Sequence, residues 1–251
     1  MMIKPTMTLG YDLDAWTKFG IKDPINLDLT ASTNSSILLS GLSGGGKTYA
    51  EQYLMQQLYT AQPHAELYCG DYKQEDALSH LRICPRYFPY RTTIEALDIV
   101  HARLLARQSG EDSSRNPIVY FWDEYVAQIL ALLSEDKKAA STAMGKVSEI
   151  LLLGRSLSVK IVTASQRPDA LVYPAGARLN YGVVMILGGG TANRSIYEML
   201  VPDFVDEIKG RQFGRGEGVV VLQGAQIRFI KIPTVRDENR MRRICVEALS
   251  K

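Results

Sequence analysis

The residues best equipped for chemistry lie at Gly41-Leu42-Ser43-Gly44-Gly45-Gly46-Lys47-Thr48, a full G-x-x-x-x-G-K-[ST] match followed by Tyr49. Glycines let such a loop curl until its backbone N–H groups converge on phosphate oxygens. The helix that follows adds the positive end of its dipole. Lys47 is expected to reach the β- and γ-phosphates and Thr48 to ligate magnesium. The loop follows an apolar run, Ser36–Leu39, and opens a helical pattern from about Thr48 to Thr60, the context a phosphate-binding loop requires. Nucleotide binding follows from this segment, with Gly41 to Tyr49 as its binding residues.

Binding alone does not separate a kinase, a GTPase and a motor. A second segment, Ile118-Val119-Tyr120-Phe121-Trp122-Asp123-Glu124, ends a β-branched and aromatic run in two carboxylates. Asp123 is expected to hold the magnesium through its water shell, and Glu124 to orient and polarise an attacking water. A nucleoside kinase excludes water and has no use for the second carboxylate, and no base-reading N-K-x-D is present. Hydrolysis is the preferred chemistry. A third segment, Thr163-Ala164-Ser165-Gln166-Arg167-Pro168, puts a polar Gln166 directly after the apolar run Val159–Ala164. Beside the Asp123-Glu124 tip it would hydrogen-bond the γ-phosphate or the water.

The elements that must position these residues alternate along the chain. Buried strands are expected at Ser36–Leu39, Glu66–Cys69, Ile118–Trp122, Val159–Ala164 and Tyr181–Leu187, and helices at Thr93–Arg107 and Val147–Leu157. That alternation argues for an α/β sheet, mainly parallel, with right-handed crossovers. The end differs: Gly218–Leu222 and Gln226–Ile232 flank Gln223-Gly224-Ala225, a hairpin signature, and a basic helix follows from about Arg236.

The chain has 251 residues, 46% hydrophobic and 22% charged, as in an ordinary globular protein with one core. That excludes a disordered tail, a fibrous repeat and a coiled-coil rod. The apolar run Tyr181–Gly190 is half the roughly 20 residues that span a bilayer. With no basic-then-apolar leader, the expected location is cytoplasmic. Three cysteines, Cys69, Cys84 and Cys245, form no C-x-x-C pair, which argues against a disulfide framework and a zinc site. The net charge is +2; residues 205–251 hold 10 Lys/Arg against 6 Asp/Glu, which fits a solvated basic tail as well as a phosphate-binding face.

Together these motifs resemble the motor domain of the FtsK/SpoIIIE family of DNA translocases, with its P-loop, its strand ending in Asp-Glu and its Gly-Arg … A-T-Q-R-P segment. Leu9-Gly10-Tyr11-Asp12 is similar to the family's L-G-x-D opening, and Asp71-Tyr72-Lys73 to its D-P-K. Gly154-Arg155 stands eleven residues before Gln166, where the family has Gly-Arg. Arg194-Ser195-Ile196 resembles S-R-T-I, and Gly214-Arg215-Gly216-Glu217-Gly218 the closing L-G-x-G-D. The matches keep their order from residue 9 to about 218. Ser165 stands in place of the family's Thr, and Tyr72 in place of its Pro.

The resemblance implies an α/β P-loop NTPase of the RecA-like (ASCE) kind, a mainly parallel central sheet flanked by helices, with a C-terminal β-hairpin. It implies a single motor domain over 1–251: a lead-in at 1–35, the P-loop core at 36–217, and the hairpin and basic helix at 218–251. ATP and Mg2+ are the implied cofactors. Double-stranded DNA is the implied partner, and a homo-oligomeric ring, usually a hexamer, the implied assembly. One subunit would supply Lys47, Thr48, Asp123, Glu124 and Gln166, and a neighbour an arginine finger. Arg155 is the candidate finger, with Arg178 and Arg215 in reserve; the plainer reading of Arg155 is a helix-end charge facing the dipole.

Translocation needs contacts to backbone phosphates without base readout. Gly188-Gly189-Gly190-Thr191-Ala192-Asn193-Arg194 is one candidate pore loop, with Arg194 as its cation, and Lys137-Lys138 is another. Either also reads as a solvated loop. The family's large cell-division members add membrane helices, a linker and a winged helix; only the motor is recognisable here, which turns the expectation toward a mobile element, in conjugative transfer or DNA packaging. A membrane, relaxase or packaging partner would then recruit the protein, to the membrane in the first case. The competing reading is a coupling or docking ATPase that recruits such a partner and turns over slowly. A small-molecule kinase is third, disfavoured by Glu124.

Overall fold

The computed structural model describes residues 5–29, 36–188 and 194–251. Its strands are β1 (Thr6–Asp12), β2 (Pro24–Asp28), β3 (Ile37–Ser40), β4 (Glu66–Asp71), β5 (Tyr87–Pro89), β6 (Ile118–Asp123), β7 (Val159–Ser165), β8 (Val183–Leu187), β9 (Glu217–Leu222) and β10 (Gln226–Lys231). Its helices are α1 (Leu13–Phe19), α2 (Lys47–Ala61), α3 (Thr93–Ser109), α4 (Tyr125–Glu135), α5 (Lys137–Leu157), α6 (Arg194–Leu200), α7 (Val205–Ile208) and α8 (Glu238–Ser250).

The strands form one mixed sheet in the order β2-β1-β10-β9-β8-β3-β7-β6-β4-β5. From β8 to β5 every pairing is parallel. The remaining pairings are antiparallel, so the sheet is parallel on the side that carries the phosphate-binding loop. The expected hairpin is β9–β10, and it joins the sheet through β8. β1 and β2 extend it beyond β10.

The run Ile118–Asp123 is buried at every position because both faces of β6 are covered. Ile118, Tyr120 and Trp122 pack toward α3, α4 and α5, and Val119 and Phe121 toward α2. Trp122 Nε1–H donates to Gln128 Oε1 at 2.8 Å, which gives the largest buried side chain its partner and fixes the start of α4 under the sheet. α8 packs on α2, with Met241, Cys245, Ala248 and Leu249 buried, so the basic end of the chain is amphipathic and joins the core.

The long helix α5 begins ten residues before the expected Val147. Asp136 caps it, its carboxylate accepting from the N–H groups of Lys138 and Ala139 at 2.9 Å. Lys137 and Lys138 therefore lie in the first helical turn, not in a loop. At the other end α5 doubles back into β7 so tightly that a Cβ on Gly154 would lie 2.0 Å from Val159 O. This close approach is the reason for glycine in the Gly154-Arg155 pair.

Candidate functional site

The loop between β3 and α2 takes backbone conformations that suit glycine: Gly41 has φ 147°, Gly44 80° and Gly46 97°. It is pressed against the end of β8, where a Cβ on Gly41 would meet Leu187 O at 2.2 Å. α2 starts with no side-chain cap, so the N–H groups of its first turn point at whatever occupies the loop. Lys47 is buried, and its Nζ donates to Gly41 O at 2.8 Å. Burial pulls the Lys47 ammonium below its usual range, while Glu124, Asp123 and Glu51 oppose that pull.

Asp123 closes β6 and stands level with Asp71 at the end of β4, its partner in the parallel register. Both are buried, as are Glu51 on α2 and Glu124. Burial raises the Asp123 carboxyl, and Glu124, Asp71 and Glu75 raise it further. Burial likewise raises Glu51, with Asp123 next. Such a concentration of carboxylates has an electrostatic surplus that a divalent cation would neutralise. The donor set beside the loop, the Thr48 hydroxyl and the Asp123 carboxylate, is the hard-oxygen kind that suits magnesium held in part by water and phosphate. The two residues thus fit that ion.

Glu124 follows Asp123 with φ 56° and ψ 39°, a left-handed conformation at the head of α4. Its Oε1 pairs with Lys73 Nζ at 2.9 Å. Gln166 directly follows β7, which lies between β3 and β6. That strand order brings Gln166 between the phosphate loop and the carboxylates.

These pieces face one cleft of about 340 Å³, lined by Ser43, Gly44, Gly46, Lys47, Thr48, Tyr49, Glu124 and Gln166. The sequence motifs therefore converge in space. Gly41, Leu42 and Gly45 make the rest of the loop, and buried Asp123 closes the β6 strand from which Glu124 enters the cleft. The far wall holds Arg215, one of the reserve finger candidates, and residues given no site role from sequence: Glu75, Glu238, Met241 and Arg242. Arg215 belongs to the Gly214–Gly218 segment, and the ordered motif was the signal for its nearness. Nothing local in sequence placed α8 here.

Other expected residues lie elsewhere. Arg155 is exposed in the last turn of α5, at the opposite end of β7 from Gln166, about 20 Å away along a seven-residue strand. It lines a separate cleft of about 530 Å³ together with Arg178, Leu152 and Leu179. No residue of the phosphate loop lines that second cleft. Arg194 is exposed at the start of α6 and pairs with Glu198 at 2.8 Å. Lys137 and Lys138 are exposed on α5. Gly188 ends the strand region after β8, and residues 189–193 of the expected pore loop lie outside the described residues.

No protein-family model matches the sequence, and comparison with curated proteins finds no match. Solved structures do match. The pCW3 conjugation coupling protein TcpA, in its monomer form with ATPγS, aligns with TM-score 0.69 at 18% identity over 97% of this chain and 71% of that one. The cytoplasmic domain of the Type VII secretion ATPase EccC of Thermomonospora curvata aligns with TM-score 0.66 at 18% identity, over 98% of this chain and 31% of that one. VirB4 of Thermoanaerobacter pseudethanolicus gives 0.60 at 11% identity over 93% and 98%. The chain thus spans about a third of the secretion ATPase's length. These likenesses establish the fold, an α/β architecture shared with P-loop ATPases.

Proposed function

We propose that the protein is an ATP-hydrolysing motor that acts on double-stranded DNA as a ring, in the service of a mobile element. The observation that carries the ATPase reading is the convergence of Lys47, Thr48, Glu124 and Gln166, from the ends of β3, β6 and β7, on one cleft. Its volume of about 340 Å³ is within the range of small-molecule and cofactor sites. The neighbours' printed descriptions, a conjugation coupling protein with ATPγS and a secretion ATPase, lend support to the class of activity.

In this reading the loop N–H groups and Lys47 bind the β- and γ-phosphates. Thr48 and Asp123 hold Mg2+, which supplies charge neutralisation at the phosphate oxygens when bound. Glu124 orients a water and accepts its proton as the water oxygen attacks the γ-phosphorus. The bond from the γ-phosphorus to the bridging oxygen breaks, leaving ADP and inorganic phosphate. Gln166 hydrogen-bonds the γ-phosphate or the water, and its place at the end of β7 couples that contact to the sheet.

Arg155 stands too far from its own cleft to serve it, and in this reading it acts on a neighbouring subunit's cleft. A finger in trans contributes about 10³–10⁵ in rate. Arg194, Lys137 and Lys138 are the proposed phosphate contacts to DNA, where their role is charge and not base recognition.

The test is ATP turnover with and without long duplex DNA, across salt, with Glu124→Gln alongside. Turnover stimulated by DNA, fading as salt rises and absent in the variant, is the expected result. Turnover that ignores DNA overturns the translocase reading in favour of an ATPase that docks a protein partner.

A further inference from the structure

The ion pair between Lys73 and Glu124 joins an exposed loop to the most important carboxylate of the cleft. Glu124 has 7% of its side chain exposed and Lys73 has 37%, so one end of the pair is inside and the other at the rim. A pair between two exposed side chains contributes little. Here the inner partner is desolvated, and removing the ammonium leaves a buried carboxylate without its ion-pair partner beside Asp123. Lys47 also feels the Glu124 charge, but its Nζ donates to Gly41 O and makes no ion pair with Glu124 among the described residues. Among the described residues, Lys73 is the ion-pair partner of Glu124.

The loop is built to aim Lys73. Asp71, fully buried, accepts from Tyr87 O–H at 2.7 Å and from Glu75 N–H at 3.1 Å, which closes the turn around residues 72–74. Tyr72 stacks on Tyr90 with ring centroids 5.5 Å apart and planes 14° from parallel. Gln74 takes φ 57°, and its carbonyl accepts from Arg82 Nη2 at 2.9 Å. The residues on both sides of Lys73 are therefore tied down, and its side chain alone crosses to Glu124. Glu124 needs such help, because its carboxylate makes no capping bond to the helix it begins.

Resting on the ATPase reading above, we infer that Lys73 is a positioning residue for Glu124: its ammonium pins Oε1 and so reserves Oε2 for the attacking water. A carboxylate held at one oxygen has one orientation to offer the water instead of several. Misplacement of a reacting group by about 1 Å costs on the order of a hundredfold in rate. Lys73 touches neither nucleotide nor water in this scheme and acts through Glu124 alone.

The experiment compares the wild-type chain with Lys73→Met, Lys73→Arg, Glu124→Gln and the Lys73→Met/Glu124→Gln double variant. It reads steady-state and single-turnover ATP hydrolysis and the binding of a fluorescent ATP analogue; Lys73→Gln replaces Lys73→Met if the latter does not fold. The expected result is a kcat lower by about tenfold to a hundredfold in Lys73→Met. KM and analogue binding stay within about twofold, Lys73→Arg recovers most of the rate, and the double variant equals Glu124→Gln alone. Full kcat in Lys73→Met overturns the inference, as does a further loss in the double variant or weakened binding in step with the lost rate. A wild-type chain that binds the analogue but never hydrolyses ATP instead removes the ATPase reading, and the inference falls with it.

Discussion

Gly216 N–H donates to Gly45 O at 2.9 Å, so the phosphate loop is stitched to the turn that leads into the last hairpin. The two segments are 171 positions apart in the chain. A Cβ on neighbouring Gly46 would stand 3.1 Å from Gly216 N, and Gly46 has φ 97°. The same turn carries Arg215 to the cleft wall.

Gly46→Ala is therefore expected to harm the loop twice, through its left-handed backbone and through contact with Gly216. The cost is about 1–3 kcal/mol of stability, together with loss of nucleotide affinity. Thermal melting with and without an ATP analogue measures both, and an unchanged shift on analogue addition refutes the prediction.

Lys160, on β7, is buried among Met7, Leu27, Val119 and Val162, and its Nζ has no hydrogen-bond partner among the described residues. Burial, with Arg107 adding to it, pushes its ammonium down to about 7. The unfolded chain keeps that proton to about 10.4. Between those values the unfolded state binds more protons, so stability rises with pH, and the burial penalty is fully present below about 7. Lys160→Met is expected to raise Tm most at pH 6–7, with the gain shrinking as pH climbs toward 10. A pH-independent difference between the two melting curves counts against it.

Arg155 offers a test of assembly. If its target is a neighbour's cleft, Arg155→Ala and Lys47→Ala are each inactive, yet mixing them restores turnover. A head-to-tail contact pairs an intact cleft with an intact arginine at roughly a quarter of random boundaries. Mixtures no more active than either variant alone show that Arg155 serves its own helix end, by offsetting the dipole of α5.

The segments that carry chemistry were legible because each rests on local rules. The G-x-x-x-x-G-K-[ST] spacing, the apolar run ending in Asp123-Glu124 and the β9–β10 turn are all written within about ten residues. The boundaries of α5 were less so. Ala139, Ala140 and Ala143 are good helix formers but give a weak apolar stripe, and the cap that starts the helix lies in the Asp136 side chain. β1 and β2 went unread for a related reason: each is half-exposed, and β2 begins with Pro24, which weakens its strand signal.

The sequence by itself determined which residues could grip a phosphate, which carboxylates could work beside it, and that strands and helices alternate around them. These follow from local backbone conformation and from the period of apolar residues, which neighbouring positions decide. Only the tertiary structure decided that β7 lies between β3 and β6, that Arg215 and Arg242 wall the cleft, and that Lys73 meets Glu124. Strand order and side-chain partners depend on how separate elements bury their apolar faces against one another. Lys73 and Glu124 are 51 positions apart, and they meet because β4 and β6 are neighbours in the sheet and end at the same level.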